Sequence, residues 1–415
     1  MKRKKVLLVT SAYPYGVGET FITAELATLA QYAEVELVPC FYQAGTTPRP
    51  AAQTVRLGYA ARRWGGLRVV HLLAAFATAL RRYGWMKDAL HILRHPHKAG
   101  NFKELARSLY RARMFEHFLS ALMAAEGPFE MVYFYWLIPE ILGAIRFRDT
   151  AHASLRVVSR AHGGDLYEDR QVGNYIGLRD EITSGVDAIY CISAHGHAYL
   201  QGRYAMPPSR LHLARLGVVD PGCLNMQPDG EALSIVSCSF VVREKRLHLV
   251  VDAIAWMLAA DPRLTVRWTH IGNGALFEDL RDYAARTLGE RATVVLAGYM
   301  TNSQVVDLYR TERFDVIVNV SDYEGIPVSL MEASAAGIPM VATDVGGNGE
   351  IVNAGNGVLI PADSDGAAIG ATLLRFRDRP VAAAYRKAAR AGWEQHFNAD
   401  ANYHRFGRAL TQVLG

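Results

Sequence analysis

Only four cysteines occur in 415 residues, at positions 40, 191, 223 and 238, and their spacing forms neither disulfide pairs nor a metal-ligand pattern. A disulfide-built scaffold is excluded, and buried thiols in a reducing compartment are expected. No run approaches the roughly 20 apolar residues needed to cross a bilayer, and no tract is of low complexity. The start, MKRKKVLLVTSAYP, joins a basic cluster to apolar residues as a secretion signal does. Its apolar run is too short and Tyr13-Pro14-Tyr15 follows without a small-residue cleavage site, so a first strand is expected there. No Asp-x-Asp pair sits at a strand end, which leaves no metal clamp evident. No recognition module or aromatic-studded basic groove speaks for nucleic acid.

What is present is length and apolar content. Half the residues are hydrophobic, and a chain this long exceeds the usual single-core size, so two domains of roughly 150 to 220 residues are expected. The net charge of +5 is uneven. From Arg56 to Arg113 there are thirteen Lys/Arg against Asp88 and Glu104, or 13 − 2 = +11, which leaves 5 − 11 = −6 for the rest. Residues from about 53 to 125 are helical in period, with Val70, Leu73, Phe76 and Leu80 on one side and Arg68, Arg81, Arg82 and Lys87 near the ends. Two readings stay open for this insert. It packs helices with solvated arginines over the first sheet, or it presents a cationic, apolar surface to anionic headgroups.

The chain is organised around Asp315 to Ile351, DVIVNVSDYEGIPVSLMEASAAGIPMVATDVGGNGEI. The apolar DVIVNV predicts a buried strand, Glu324-Gly-Ile-Pro a tight turn with Pro327 opening a helix, and Gly337 with Pro339 its end near Ala336. MVAT predicts the next strand of a parallel sheet. The first helical amides lack internal partners and carry the positive end of the helix dipole, a ready anion site. Glu324 lies in the turn, and Glu332 sits at the edge of the Val328, Met331, Ala335 stripe. Asp344-Val-Gly-Gly-Asn-Gly adds a glycine-rich loop on the same rim, where ligands of open parallel sheets bind. Glutamates on helices are commonly only solvated, so the residues by themselves leave both readings.

The pattern Glu-x7-Glu in EGIPVSLMEASAAGIPMVATDVGGNGEIV resembles the donor-site signature of retaining glycosyltransferases of family 4, which have the GT-B fold. The resemblance implies two Rossmann-like doubly wound α/β domains facing an interdomain cleft. The first would take the acceptor (1–222, with the insert at 53–125) and the second the nucleotide-sugar (223–392), with a final helix at 393–415 crossing back. It implies a hexosyltransferase that moves a sugar from a nucleotide-diphosphate-sugar, with no cofactor and no metal. Glu332 would bond the ribose hydroxyls, Glu324 the donor sugar, and Gly325, Ile326, Pro327, Val328 and Ser329 would supply the phosphate-facing helix start.

Further positions carry the same resemblance. In the loop Ser11–Glu19, Gly16 and Gly18 let backbone approach donor phosphate and acceptor, although a plain strand-to-helix turn has the same form. YPYGVGETFITAEL resembles the opening of polysaccharide-assembly members. Arg160-Ala-His162-Gly-Gly-Asp165 resembles the R-x-H-G-x-D pattern of those members, whose histidine contacts the donor sugar; Arg160 and Asp165 would then line the acceptor or sugar cleft. Basic side chains at a strand end suit a diphosphate, and Lys245 falls on the family's diphosphate-binding lysine. Where the family has an arginine this chain has Ser239, and Arg243 or Arg246 is the replacement. Gly272, in the Gly-Asn-Gly turn after a strand, would take part in donor binding, and the turn at Gly298-Tyr299 would flank the base. Glycan or lipid-linked oligosaccharide is the implied acceptor, with a cytoplasmic location, peripheral on the inner face of the cell membrane. A nucleotide-sugar epimerase, a phosphorylase and a non-catalytic nucleotide-sugar-binding scaffold are the alternatives.

Overall fold

The computed structural model describes residues 3–16, 18–42, 45–64, 84–94 and 100–415. Arg68, Arg81, Arg82, Lys98 and most of the expected helix from 67 onward lie outside these residues. Within the basic insert, helices Gly58–Trp64, Met86–Arg94 and Asn101–Glu126 are described.

The chain divides into two compact units, one of Met1–Ala214 with Tyr403–Gly415 and one of Arg215–Asn402. Each is built on a six-stranded parallel sheet. In the first unit β1 (Lys5–Thr10), β2 (Glu34–Pro39), β3 (Met131–Phe134), β4 (Arg156–Ala161), β5 (Ala188–Cys191) and β6 (Leu211–Leu213) run in the order β2-β1-β3-β4-β5-β6. In the second, β7 (Leu233–Cys238), β8 (Val266–Ile271), β9 (Ala292–Gly298), β10 (Val316–Asn319), β11 (Met340–Thr343) and β12 (Gly357–Ile360) run in the order β12-β11-β10-β7-β8-β9. The strands are short apolar runs because helices cover both faces of such a sheet; β3, β5, β10 and β11 are buried at every residue.

Strand order reverses between β1 and β3 in the first sheet and between β7 and β10 in the second. Loops leaving the carboxyl ends of those pairs diverge, and that divergence is where a doubly wound sheet forms its ligand crevice. Gly16 and Gly18 follow β1, Lys245 follows β7 and Glu324 follows β10, whereas His162 and Asp165 follow β4, Gly272 follows β8 and Tyr299 follows β9.

The segment after β6 stays with the second unit because it is pinned there. Val218 N donates to Phe397 O at 2.9 Å, Ala399 N to Val218 O at 3.1 Å, and Trp393 Nε1 to the same carbonyl at 3.1 Å. The expected final helix is two helices, Arg379–His396 and Ala399–Leu414. Phe406 and Leu410 of the latter join the core under the first sheet, with the Phe406 ring 5.5 Å from Tyr133 and 5.0 Å from Tyr190.

Candidate functional site

In the second unit, the loop after β7 and the loop after β10 are fastened to each other. Asp322 N donates to Glu244 O at 2.9 Å. Arg246, whose backbone is left-handed at φ 46°, donates from Nε to Val320 O at 2.8 Å and from Nη2 to Ser321 O at 3.2 Å. This frame brings Lys245 Nζ to Glu324 Oε1 at 2.5 Å across 79 residues of sequence. The same Oε1 accepts from Asn319 Nδ2 at 3.0 Å and Ser321 Oγ at 2.7 Å. All three donors fall on one oxygen, which leaves Oε2 of a largely buried carboxylate for a ligand.

Beside this pair the helix Val328–Ala335 begins, with Pro327 as its N-cap instead of its first residue. Among the described residues the amides of Val328 and Ser329 carry no hydrogen bond, so they present donors and the positive helix end to the rim. Ala336 caps the other end, and Gly337 turns the chain at φ +71°, with Ile338 N donating to Ala333 O. The glycine-rich loop after β11 is required by close packing. A Cβ on Gly346 would lie 1.8 Å from Glu324 O, and one on Gly347 2.3 Å from Gly325 O. The turn holding Glu324 is thus pressed into place by backbone that tolerates no side chain.

Glu332 is half-buried, and its Oε1 accepts from Asn302 Nδ2. Burial pushes its carboxyl up to about 7, against the lowering effect of the Asn302 amide. Gly272 stands at φ +138° where a Cβ would meet Ser239 O at 1.8 Å, and its N–H donates to Gly298 O at 2.8 Å. Tyr299, next in the chain, is 52% exposed. Arg243 is exposed. Arg246 is not the free cation expected for a diphosphate: its guanidinium holds the two loops together.

In the first unit, Glu19 organises the loop after β1. At φ 57° it turns its carboxylate back to accept from the amides of Ser11, Ala12 and Tyr13 at 2.9, 2.7 and 2.7 Å, and from Trp136 Nε1 at 2.5 Å. Trp136 follows β3, so Glu19 ties the two loops of the switch point. Gly16, at φ +72°, and Gly18 have open space where a Cβ would stand. His162 lies 4% exposed in an aromatic cage, with ring centroids at 4.4 Å from Trp136, 4.8 Å from Tyr135 and 6.2 Å from Phe21. Among the described residues both ring nitrogens are buried and neither has a hydrogen-bond partner, with Asp165 Oδ2 3.9 Å from Nδ1. Burial, and then the charge of Arg160, drive its pKa well below 6.5, so the ring is neutral at physiological pH.

Arg160 does not line a ligand site. It is 0% exposed, pairs with Glu25 at 3.1 Å, donates from Nε to Tyr133 Oη at 3.0 Å and from Nη1 to Ala214 O at 2.8 Å, and lies 4.0 Å over the Phe406 ring. Its position inside β4, in a sheet covered on both faces, explains this. The Asp165 carboxylate accepts from His162 N and Leu137 N, both at 2.7 Å. It therefore sets the loop carrying His162, and burial raises its carboxyl to about 6.

The sequence did not point to Glu19, Asn302, Asn319 or Ser321. Asn319 and Ser321 left a signal, as polar residues closing the apolar run DVIVNV. Against the expectation that no Asp-x-Asp sits at a strand end, Asp363-Ser364-Asp365 follows β12, but Asp365 is engaged in capping helix Gly366–Leu374, its Oδ1 accepting from Ala368 N at 2.9 Å. Among the described residues no cluster of His, Cys, Asp and Glu is arranged to hold a metal.

Comparison with known proteins agrees with this geometry. Residues 233–377 match the family model described as glycosyl transferases group 1. A protein of Salmonella typhimurium assigned as a colanic acid biosynthesis glycosyltransferase is 26% identical over 410 residues, 96% of each chain. The lipopolysaccharide core biosynthesis mannosyltransferase of Rhizobium meliloti is 29% identical over 258 residues, covering 59% of this chain and 69% of that one. A solved lipopolysaccharide outer core galactosyltransferase superposes with a TM-score of 0.68 at 16% identity, over 98% of this chain and 99% of that one. The chain is a glycosyltransferase of the GT-B fold, and its residues 233–377 form a glycosyl transferases group 1 domain.

Proposed function

We propose that this enzyme transfers a hexose, with retention, from a nucleotide-diphosphate-sugar to a lipid-linked glycan acceptor in bacterial exopolysaccharide, capsule or lipopolysaccharide assembly. The observation that carries the donor half is the Lys245–Glu324 pair at the switch point, beside the open amides of Val328 and Ser329. Glycosyl transfer passes through an oxocarbenium-like transition state, and the departing diphosphate must have its charge stabilised. Lys245 and the helix start supply that positive potential, with Arg243 exposed nearby in sequence. No step in this account uses a metal. Glu324 Oε2 accepts from hydroxyls of the donor sugar, and Glu332 accepts from the ribose diol, where one carboxylate suits two adjacent O–H donors. His162, neutral and without a hydrogen-bond partner, offers one donor and one acceptor to a sugar hydroxyl.

The acceptor half rests on the relatives named above and on one surface. Helix Met86–Arg94 exposes Met86, Leu90 and Leu93 on one side, with Lys87 and Arg94 at its ends, which suits insertion among anionic headgroups. Among the described residues no helix is long and apolar enough to cross a membrane. The test is a screen of UDP-, GDP- and ADP-sugars for binding and slow hydrolysis, followed by product formation with lipid-linked acceptor. One donor is expected to bind and to lose binding in Glu332→Ala. Full binding and turnover in that variant would refute the assignment. Absence of co-sedimentation with anionic vesicles at low salt would remove the membrane surface.

A further inference from the structure

The first unit holds a cavity of about 450 Å³ beside the start of helix Asn101–Glu126 and the loop after β4. Lys103, Arg107, Arg111 and Arg179 line it, against the carboxylates of Glu104 and Asp165, so cations outnumber anions four to two. Arg111 is already held by Glu140, at 2.9 Å from Nε and 2.8 Å from Nη2. Among the described residues Arg107 makes only an exposed contact of 3.5 Å with Glu104, of a kind worth little in water, and Lys103 is exposed.

Arg179 is different. It is 2% exposed, its Nη2 donates to Asp165 O at 2.5 Å, and among the described residues its Nε and Nη1 have no hydrogen-bond partner. A buried guanidinium with unpaired N–H groups is costly unless an anion or further acceptors meet it. A groove of merely solvated charges would not hold such a residue. Guanidinium forks match phosphate oxygens in pairs. The volume exceeds that of a bare phosphate and falls in the usual range for a small organic ligand.

We propose that this cavity is an acceptor subsite for a phosphorylated sugar end, with Arg179, Arg107 and Lys103 gripping its phosphate or diphosphate. The proposal rests on the glycosyl-transfer reading above and deepens it by giving the acceptor a phosphate. Because Lys245 also faces a diphosphate in that reading, the subsite is measured in a Lys245→Ala background. Inorganic diphosphate is titrated calorimetrically at low salt into Lys245→Ala, and into Lys245→Ala carrying Lys103→Ala and Arg107→Ala, both exposed positions whose loss leaves folding intact. The expected result is about a tenfold weaker affinity in the triple variant. Arg179→Lys, checked for a native melting curve, is expected to weaken binding as well, since it loses the fork and keeps the charge. Equal affinity in Lys245→Ala and the triple variant would overturn the proposal.

Glucose 1-phosphate and phosphatidylglycerol vesicles form the second arm. Dependence of either on Lys103 and Arg107 supports the subsite and tells whether the phosphate arrives on a soluble sugar or in a lipid surface. Independence of both contradicts it. Failure of the donor reading shows separately, as nucleotide-sugar that does not bind the wild-type protein while diphosphate binding still depends on Arg107.

Discussion

In both units the strand order turns back beside the first strand, and in both a glutamate joins the two diverging loops, yet the partners differ. At β7 and β10 Glu324 meets a lysine, an amide and a hydroxyl, and one carboxylate oxygen stays open. At β1 and β3 Glu19 meets three backbone amides and an indole, and its role ends in holding the loop. One topology has thus been given two chemistries. In the proposed function the second unit's charge meets a diphosphate, and the first unit's aromatic cage with its neutral histidine meets the uncharged face of a sugar.

That contrast can be broken in a definite order. Lys245→Ala or Glu324→Ala should lower kcat/KM by about a hundredfold to a thousandfold, and the double variant should cost little more, because the two act as a unit. Independent, multiplying losses in steady-state kinetics would separate them. In the first unit, Arg160→Met leaves Glu25 buried and unpaired and should cost about 3–5 kcal/mol of stability, read from urea unfolding. Adding Glu25→Gln should recover part of the loss. Glu19→Gln keeps the shape but replaces one acceptor oxygen with an NH2 donor, so two of the four hydrogen bonds are lost and the other two lose the charge, with an expected cost of about 1.5–3 kcal/mol; a variant as stable as wild type would mean the loop does not need it.

The smallest effect sharpens the donor side. Burial pushes the Glu332 carboxyl up to about 7, and in the proposed function the ribose hydroxyls bond its ionised form. Donor binding then pulls the pKa down and releases a proton, so affinity is full above pH 8 and falls as pH drops through 7. Between pH 8 and pH 6 the loss should be about tenfold, absent in Glu332→Gln. His162 adds no limb in that range, since it is already neutral.

How much of this was legible in the residues follows from what kind of interaction places each one. The strand, the helix start and the two glutamates between Asp315 and Ile351 are local, set by apolar runs, a proline and glycines, and their positions differ from expectation by a residue at most. Lys245 was legible as a cation at a strand end, but its distance from Glu324 depends on β7 and β10 being neighbours. Arg160 misled because a motif was read over a strand; β4 is covered on both faces, so Arg160 lies in the core, where Glu25 neutralises it. Glu19 was invisible because its partner Trp136 is 117 residues away and a non-glycine residue at positive φ has no sequence signal. Arg179 opens a short helix, and its burial beside Asp165, 14 residues away, depends on how the loop after β4 folds back.

The central claim is that Lys245, with the amides at the start of helix Val328–Ala335, holds the donor's diphosphate. Calorimetric titration of the best nucleoside diphosphate from the donor screen into wild type and Lys245→Ala tests it most directly. At least about a tenfold weaker Kd is expected in the variant, with a cooperative melting curve showing that it is folded. An unchanged Kd would contradict it.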